Sequence, residues 1–336
     1  MKNSLSTTWI VALAILILAP VAQAQIEVNG VPVPSPNETD FEFVVDNAAP
    51  GDSIYVPDGT YEIMATAQVS APNVTIQGQS EAGTIIQVNL ASNGWGLATN
   101  QDNTTIRDMT FESISTAAEV GFIIKGNPGP GQTVVNGITI ERVTVFGDQT
   151  STPKRRAGID VNGFDNVVIN DVDSRDASWG NGIQLSGCHN VQINNPDTSN
   201  NAWGSIGIFC TDDLGSGNNR GSDNVTITGT TNVGPDTAAN LPIIYIEDEF
   251  GVVNTNVTVT GWDYLVRNTA FRADAPEFTF VKETEADAIA YAQGFVDDTL
   301  TPVPEFSTIE RISDGNFVVA PTMSIQLAVD AAPVSE

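Results

Sequence analysis

The chain has 336 residues, 41 of them acidic against 13 basic, for a formal net charge of -28. So acidic a surface repels nucleic acid and anionic membranes, and neither is expected as a partner. Two cysteines exclude a disulfide-built scaffold, one histidine (His189) excludes a multi-histidine metal site, and the length suits one large domain or two ordinary ones.

Residues 1–24 read as a secretory signal peptide. Lys2 gives a basic start, Trp9 to Leu18 an apolar run, and Ala22-Gln23-Ala24 a small-x-small cleavage site. The run is too short and wrongly flanked for a stable membrane span. The mature chain is therefore expected to begin near Gln25, to carry no membrane span, and to be secreted, either extracellular or periplasmic.

Further along, a motif recurs. Aligned on Asn-Val-x-Ile, the chain reads NVTI at 73, NTTI at 103, GITI at 137, NVVI at 166, NVQI at 190, NVTI at 224 and NVTV at 256. Each copy alternates aliphatic and polar residues, the period of a strand with one buried face. A corner follows, at Asp108, Arg142, Asp171, Asn195 or Gly229, mostly of residue types that tolerate left-handed backbone. A second short alternation then opens. A third strand precedes each motif, as in GFIIKG at 121, GIDVNG at 158, GIQLSG at 182 and SIGIF at 205. Successive motifs stand 24 to 34 residues apart. Period two excludes helices, and hairpins would not give near-identical, unidirectional units. Winding the chain so that each strand pairs in parallel with its own copy, ~4.8 Å away, closes every aliphatic face by stacking.

On this repeat the chain resembles, over roughly residues 40 to 268, the right-handed parallel β-helix proteins of the pectate-lyase-like superfamily. FEFVVDNAAPGDSIYVPDGTYEI, Phe41 to Ile63, resembles the opening of such proteins, where a short amphipathic helix caps the first turn of the coil. The expected fold is thus all-β. A right-handed parallel β-helix would span 25–272, with three short strands per coil and about seven to eight coils. An N-terminal helix would cap it, and a small C-terminal α+β segment, 273–336, would follow. In that segment FTFVK and STIERI read as strands and EADAIAYAQG as a short helix. Val329 to Pro333 echoes Val45 to Pro50, which reads either as the start of a further module of a longer protein or as a capping helix.

The resemblance implies fold far more than activity, because lyases, hydrolases, epimerases and non-catalytic adhesins share it. Trp-Ile-Asp-His and Arg-x-Pro-x-x-Arg of pectate lyases are absent, as is the combined Asn-Thr-Asp, Asp-Asp and Gly-His-Gly set of polygalacturonases. No inverting carboxylate pair is assigned. The resemblance places a groove along the Gly-Ile-x-Leu strand, bordered by the loops before it. Strand parity puts Lys125, Asp160, Gln184, Phe209 and Tyr245 on the outer surface there, in one column. Trp95, Trp179 and Trp203 each precede a glycine in loops feeding that strand. Their flat rings suit stacking on sugars or, equally, on each other.

The scarce basic residues gather nearby, as Lys154, Arg155, Arg156 and Arg175. With Asp160 they are the candidate catalytic set for a uronate lyase, which needs a cation at the sugar carboxylate and a base at the adjacent proton. Asp160, Asp173 and Asp176 are candidate Ca²⁺ ligands, the only cofactor expected, and a solvated loop of locally paired Arg and Asp is the alternative. Cys188 and Cys210, about one repeat apart, are a candidate disulfide or two separate core residues. The functional expectation is an exported protein that binds polysaccharide or surface glycan along its outer face, with uronate-lyase-like chemistry as an extension. If it is an enzyme, a lyase is favoured over a glycoside hydrolase. The alternative is a non-catalytic adhesin or structural module of a larger extracellular protein.

Overall fold

A computed structural model of the chain describes residues 24–318, except 38, 117, 129–133, 149–157, 203, 213, 215–218, 230–243, 248–249, 253, 261–270, 274–277, 283–306 and 312–315. The expected signal peptide, the EADAIAYAQG helix and the 329–333 echo therefore lie outside the described residues, Ala24 excepted.

The chain is mostly strand, and its strands pair overwhelmingly in parallel with their own copies one repeat later. They fall into two sheets, a long one of 17 strands and a short one of eight among the described residues. The repeat that opens at Ile159 shows the plan. Strand Ile159–Asn162 joins the short sheet, then Phe164–Asn170 and Asp173–Arg175 join the long one. The next repeat supplies Ile183–Ser186, His189–Asn194 and Asp197–Ser199, which pair with those three in the same order.

The Asn-Val-x-Ile signature has a distinct physical reason at each position. Its last residue forms a continuous stack, with Ile76, Ile106, Ile140, Ile169, Ile193 and Ile227 facing one another in register, all fully buried. Each is worth roughly 1.5–3 kcal/mol of burial. Its asparagine is not extended at all. Asn73, Asn103, Asn166, Asn190, Asn224 and Asn256 all have left-handed backbone, with φ from 52° to 61°. Their side chains form a ladder: the Nδ2 of Asn103 donates to Asn73 at 2.9 Å, and that of Asn224 to Asn190 at 2.9 Å. The corner residues Asp108, Arg142, Asp171 and Asn195 are left-handed as expected. The unfavourable Arg142 is held by Asp108, which accepts from its Nε at 2.6 Å and from its terminal nitrogen at 3.2 Å.

Helix Phe41–Asp46 closes the N-terminal end. Asp40 caps it by accepting from the Phe43 amide at 2.9 Å, and Phe41, Val44 and Val45 are buried. Its acidic residues then satisfy backbone donors of the chain beneath. Glu42 accepts from the amides of Met64 and Ala65, and Asp46 from that of Gln68 at 2.6 Å, in the edge strand Ala67–Val69 of the short sheet. An unpaired sheet edge is thereby covered. At the other end, parallel pairing runs past Arg272, where the sequence repeat fades. Strand Phe278–Lys282 pairs with Thr255–Thr260 and then with Ser307–Arg311.

Candidate functional site

The outer face of the short sheet carries a column fixed by register. Gln68, Ala98, Lys125, Asp160, Gln184, Gly207 and Tyr245 stand opposite one another on successive strands. Lys125, Asp160, Gln184 and Tyr245 hold the register positions that parity predicts. Phe209 does not: it stands opposite Ser186, and Gly207 takes its place in the column. The ring nonetheless reaches back, because a Cβ at Gly207 would lie 2.4 Å from Phe209 Cε2. The glycine leaves the space that the ring occupies.

Lys125 and Asp160 form an ion pair, their side chains only 12% and 5% exposed. Their charges thus neutralise one another under cover, where a lone carboxylate or ammonium would be costly. Asn162 and Ser186 are buried on the same face, and Gln184 Oε1 is buried with no hydrogen-bond partner among the described residues. The rim at the strands' N-terminal ends is stitched by buried asparagines. Asn201 accepts from the Ala177 amide at 3.1 Å and donates to Ser174 O at 3.1 Å, and Asn181 donates to Gly204 O. Trp179, on that rim, is half-buried. Lys154, Arg155, Arg156 and Trp203 lie outside the described residues.

Arg175 and Asp173 do not join Asp160. They sit on the long sheet, in the strand Asp173–Arg175, and pair with each other. The Arg175 guanidinium also lies 4.7 Å above the Phe146 ring. Asp173 faces Asp197 one repeat on. Burial, aided by Asp197, Glu81 and Asp176 and opposed by Arg175, pushes the Asp173 carboxyl up to about 6. Among the described residues no three His, Cys, Asp or Glu side chains gather as a metal-holding group, and the structure sets Asp160 on the short sheet, apart from Asp173 on the long one.

The expected disulfide is not formed: Cys188 and Cys210 are separate buried thiols. The residue one repeat on from Cys188 is Ser222, whose Oγ accepts from the Cys188 amide at 3.1 Å. The loop closed by the Thr211–Arg220 bridge inserts between strands and spoils the simple spacing. Cys188 Sγ bonds Val161 O at 3.2 Å and Cys210 Sγ bonds Val252 O at 3.4 Å. Apolar burial pushes the Cys188 thiol up to about 11, which keeps it inert. His189 opens a long-sheet strand, where its Nε2 accepts from Arg220 Nε at 3.0 Å.

Sequence reasoning placed Trp95 on this rim but missed its surroundings. Thr66, Asn93, Gly94, Trp95, Glu119 and Gly121 line an open cleft of ≈ 460 Å³. It lies beside the N-terminal ends of the strands Ala67–Val69, Leu97–Thr99 and Ile124–Gly126. Glu119, Asn93 and Thr66 are loop residues, and alternation says nothing about where loops bring side chains.

No protein-family model matches the chain, and no curated protein is similar to it. Among solved structures it is similar to the catalytic domain of a GH87 alpha-1,3-glucanase in complex with nigerose. Identity is 14% over 74% of this chain, with a TM-score of 0.42, and this chain spans 46% of that one. It is also similar to a pectin methylesterase in complex with a hexasaccharide, at 12% identity over 78% of this chain and 94% of that one, with a TM-score of 0.39.

Proposed function

We propose that the protein is an exported, right-handed parallel β-helix that binds polysaccharide along the outer face of its short sheet. The observation that carries the reading is a juxtaposition. The in-register polar column of Lys125, Asp160 and Gln184 runs beside a rim that bears Trp95 and Trp179. Polar side chains at a regular strand spacing, with aromatic faces alongside, suit a long, repetitive, hydroxyl-rich ligand. Right-handed winding follows from the near-universal hand of parallel crossovers. Export rests on the apolar run from Trp9 to Leu18 and the cleavage site after it.

Binding without turnover, as in an adhesin or scaffold module, is supported by the pairing of charges: Lys125 with Asp160, and Arg175 with Asp173. Uronate-lyase chemistry would have to come from Lys154, Arg155 and Arg156. Affinity electrophoresis through gels containing neutral or uronic polymers tests the reading. Retardation by at least one polymer, weakened severalfold in Trp179→Ala and Gln184→Ala, is the expected result; unretarded migration in every gel would overturn it. Ultraviolet absorbance of unsaturated uronate ends, with and without Ca²⁺, separates the lyase from the binder.

A further inference from the structure

We infer that the Trp95 cleft is a subsite for uncharged sugar rings, so that the glycan this protein takes is neutral rather than uronic. The inference rests on the glycan-binding reading above and adds both a place and a chemical class.

The aromatic surface comes first. Trp95 is 38% exposed, one of few large apolar side chains left open to solvent among the described residues. Its position against the backbone is built in, because a Cβ at Gly121 would stand 2.7 Å from Trp95 Cδ1 and 3.0 Å from Nε1. Only a glycine lets the indole lie there. The surrounding backbone is tied on several sides. The Trp95 amide donates to Thr66 Oγ1 at 3.1 Å and the Gly121 amide to Gly94 O at 2.6 Å. The Gly94 amide donates to Glu119 O at 3.2 Å, and the Glu119 amide to Asn93 Oδ1 at 2.8 Å. A ring held this way is pre-organised, so a ligand need not order it on binding. The negative face of an indole attracts the weakly positive C–H face of a pyranose.

The polar groups set the class. Asn93 spends its carbonyl oxygen on the Glu119 amide, leaving its NH₂ to donate. The Glu119 carboxylate makes no ion pair among the described residues and accepts from paired hydroxyls. Thr66 supplies a hydroxyl. Among the described residues no Lys or Arg lines the cleft. A sugar carboxylate placed here would meet Glu119 at short range with no cation among the described lining residues to offset it, inside a chain of net charge -28. A neutral sugar would meet one acceptor, donors and a flat ring. The volume of ≈ 460 Å³ is that of a small-ligand site, with room for a short run of rings.

Ligand-observed NMR titration, which detects millimolar binding, decides the matter. The probes are soluble gluco-, xylo- and manno-oligosaccharides, with an oligogalacturonate as the acidic counterpart. Three variants accompany the full chain: Trp95→Ala removes the ring, Gly121→Ala keeps it but displaces it, and Glu119→Lys reverses the local charge. At least one neutral oligosaccharide is expected to bind in preference to the oligogalacturonate. Its affinity should fall about tenfold or more in Trp95→Ala, and severalfold in Gly121→Ala. Glu119→Lys should admit the oligogalacturonate. Preference for the oligogalacturonate by the unaltered protein would overturn the neutral class. Neutral binding unchanged in Trp95→Ala but lost in Trp179→Ala would overturn the cleft while leaving the glycan reading intact. Failure of every oligosaccharide and every polymer gel would overturn both together.

Discussion

At Asn166 the backbone turns left-handed, with φ of 58°, and the side chain donates to Asn136 Oδ1 at 2.7 Å. Most L-residues lose roughly 1–2 kcal/mol in that region, whereas asparagine tolerates it. Asn166→Ala should therefore lower stability by about 1–2 kcal/mol in urea unfolding, through strain and the lost rung of the ladder. Asn166→Gly keeps the backbone freedom and loses only the side-chain bonds, to Asn136 and from Asn190, so it should cost less. Equal loss in the two variants would sink the strain argument. The asparagine was legible in the sequence as part of the signature but not for its reason: period two enrolled it as an ordinary extended residue, though it is a left-handed kink within its strand. Loop residues were less legible still. Nothing in the spacing of Glu119 and Asn93 announces that they meet Trp95, because only backbone bonds across loops bring them there.

Among the elements, the two short strands Asp173–Arg175 and Asp197–Ser199 carry the least comfortable charges. Asp173 and Asp197 face each other in register, and burial raises both carboxyls, Asp173 to about 6. The groups acting on Asp173 are Arg175, Asp197, Glu81 and Asp176. A carboxyl with a folded pKa above its unfolded value of 3.8 binds an extra proton in the folded state between about pH 4 and 6. Stability should therefore fall as pH rises across that window and level off above it. Asp173→Asn removes the titration. It should flatten this slope and raise stability at pH 7 by about 1 kcal/mol, after discounting for partial exposure and the lost Arg175 pair. Unfolding midpoints of the two proteins across pH 4 to 8 test it; parallel curves would assign the slope elsewhere. Parity placed Asp160 on the outer surface, but did not show that it belongs to the other sheet from Asp173. Two carboxylates 13 positions apart are close in sequence, yet two corners stand between them. The same arithmetic misled at Phe209, which stands two residues along its strand from the column position held by Gly207, and at Cys188, whose copy one repeat on is Ser222 and not Cys210 because a loop is inserted between them.

For the molecule as a whole, parallel stacking sets copies of each residue one strand spacing apart, so repeated side chains either form ladders or collect like charge. Asparagine and isoleucine exploit the first outcome; an excess of 28 negative charges courts the second. Few described ion pairs work against it, and the guanidinium side chains of Arg142 and Arg175 are 44% and 41% exposed, where a pair is worth ~0–1 kcal/mol. Self-repulsion over the whole stack should then dominate the response to salt. The Debye length shrinks from ~30 Å at 0.01 M to ~8 Å at 0.15 M, which screens distant repulsion more than a contact pair. Thermal unfolding should shift upward over that range, on the order of 1–2 °C, as ~1 kcal/mol brings in a chain of this size. Sodium and choline chlorides should act alike, because the effect is screening and not cation capture. A midpoint that falls with salt would mean that local pairs outweigh the global field. A shift confined to sodium would point instead to a bound cation, and would reopen the question of which carboxylates hold it.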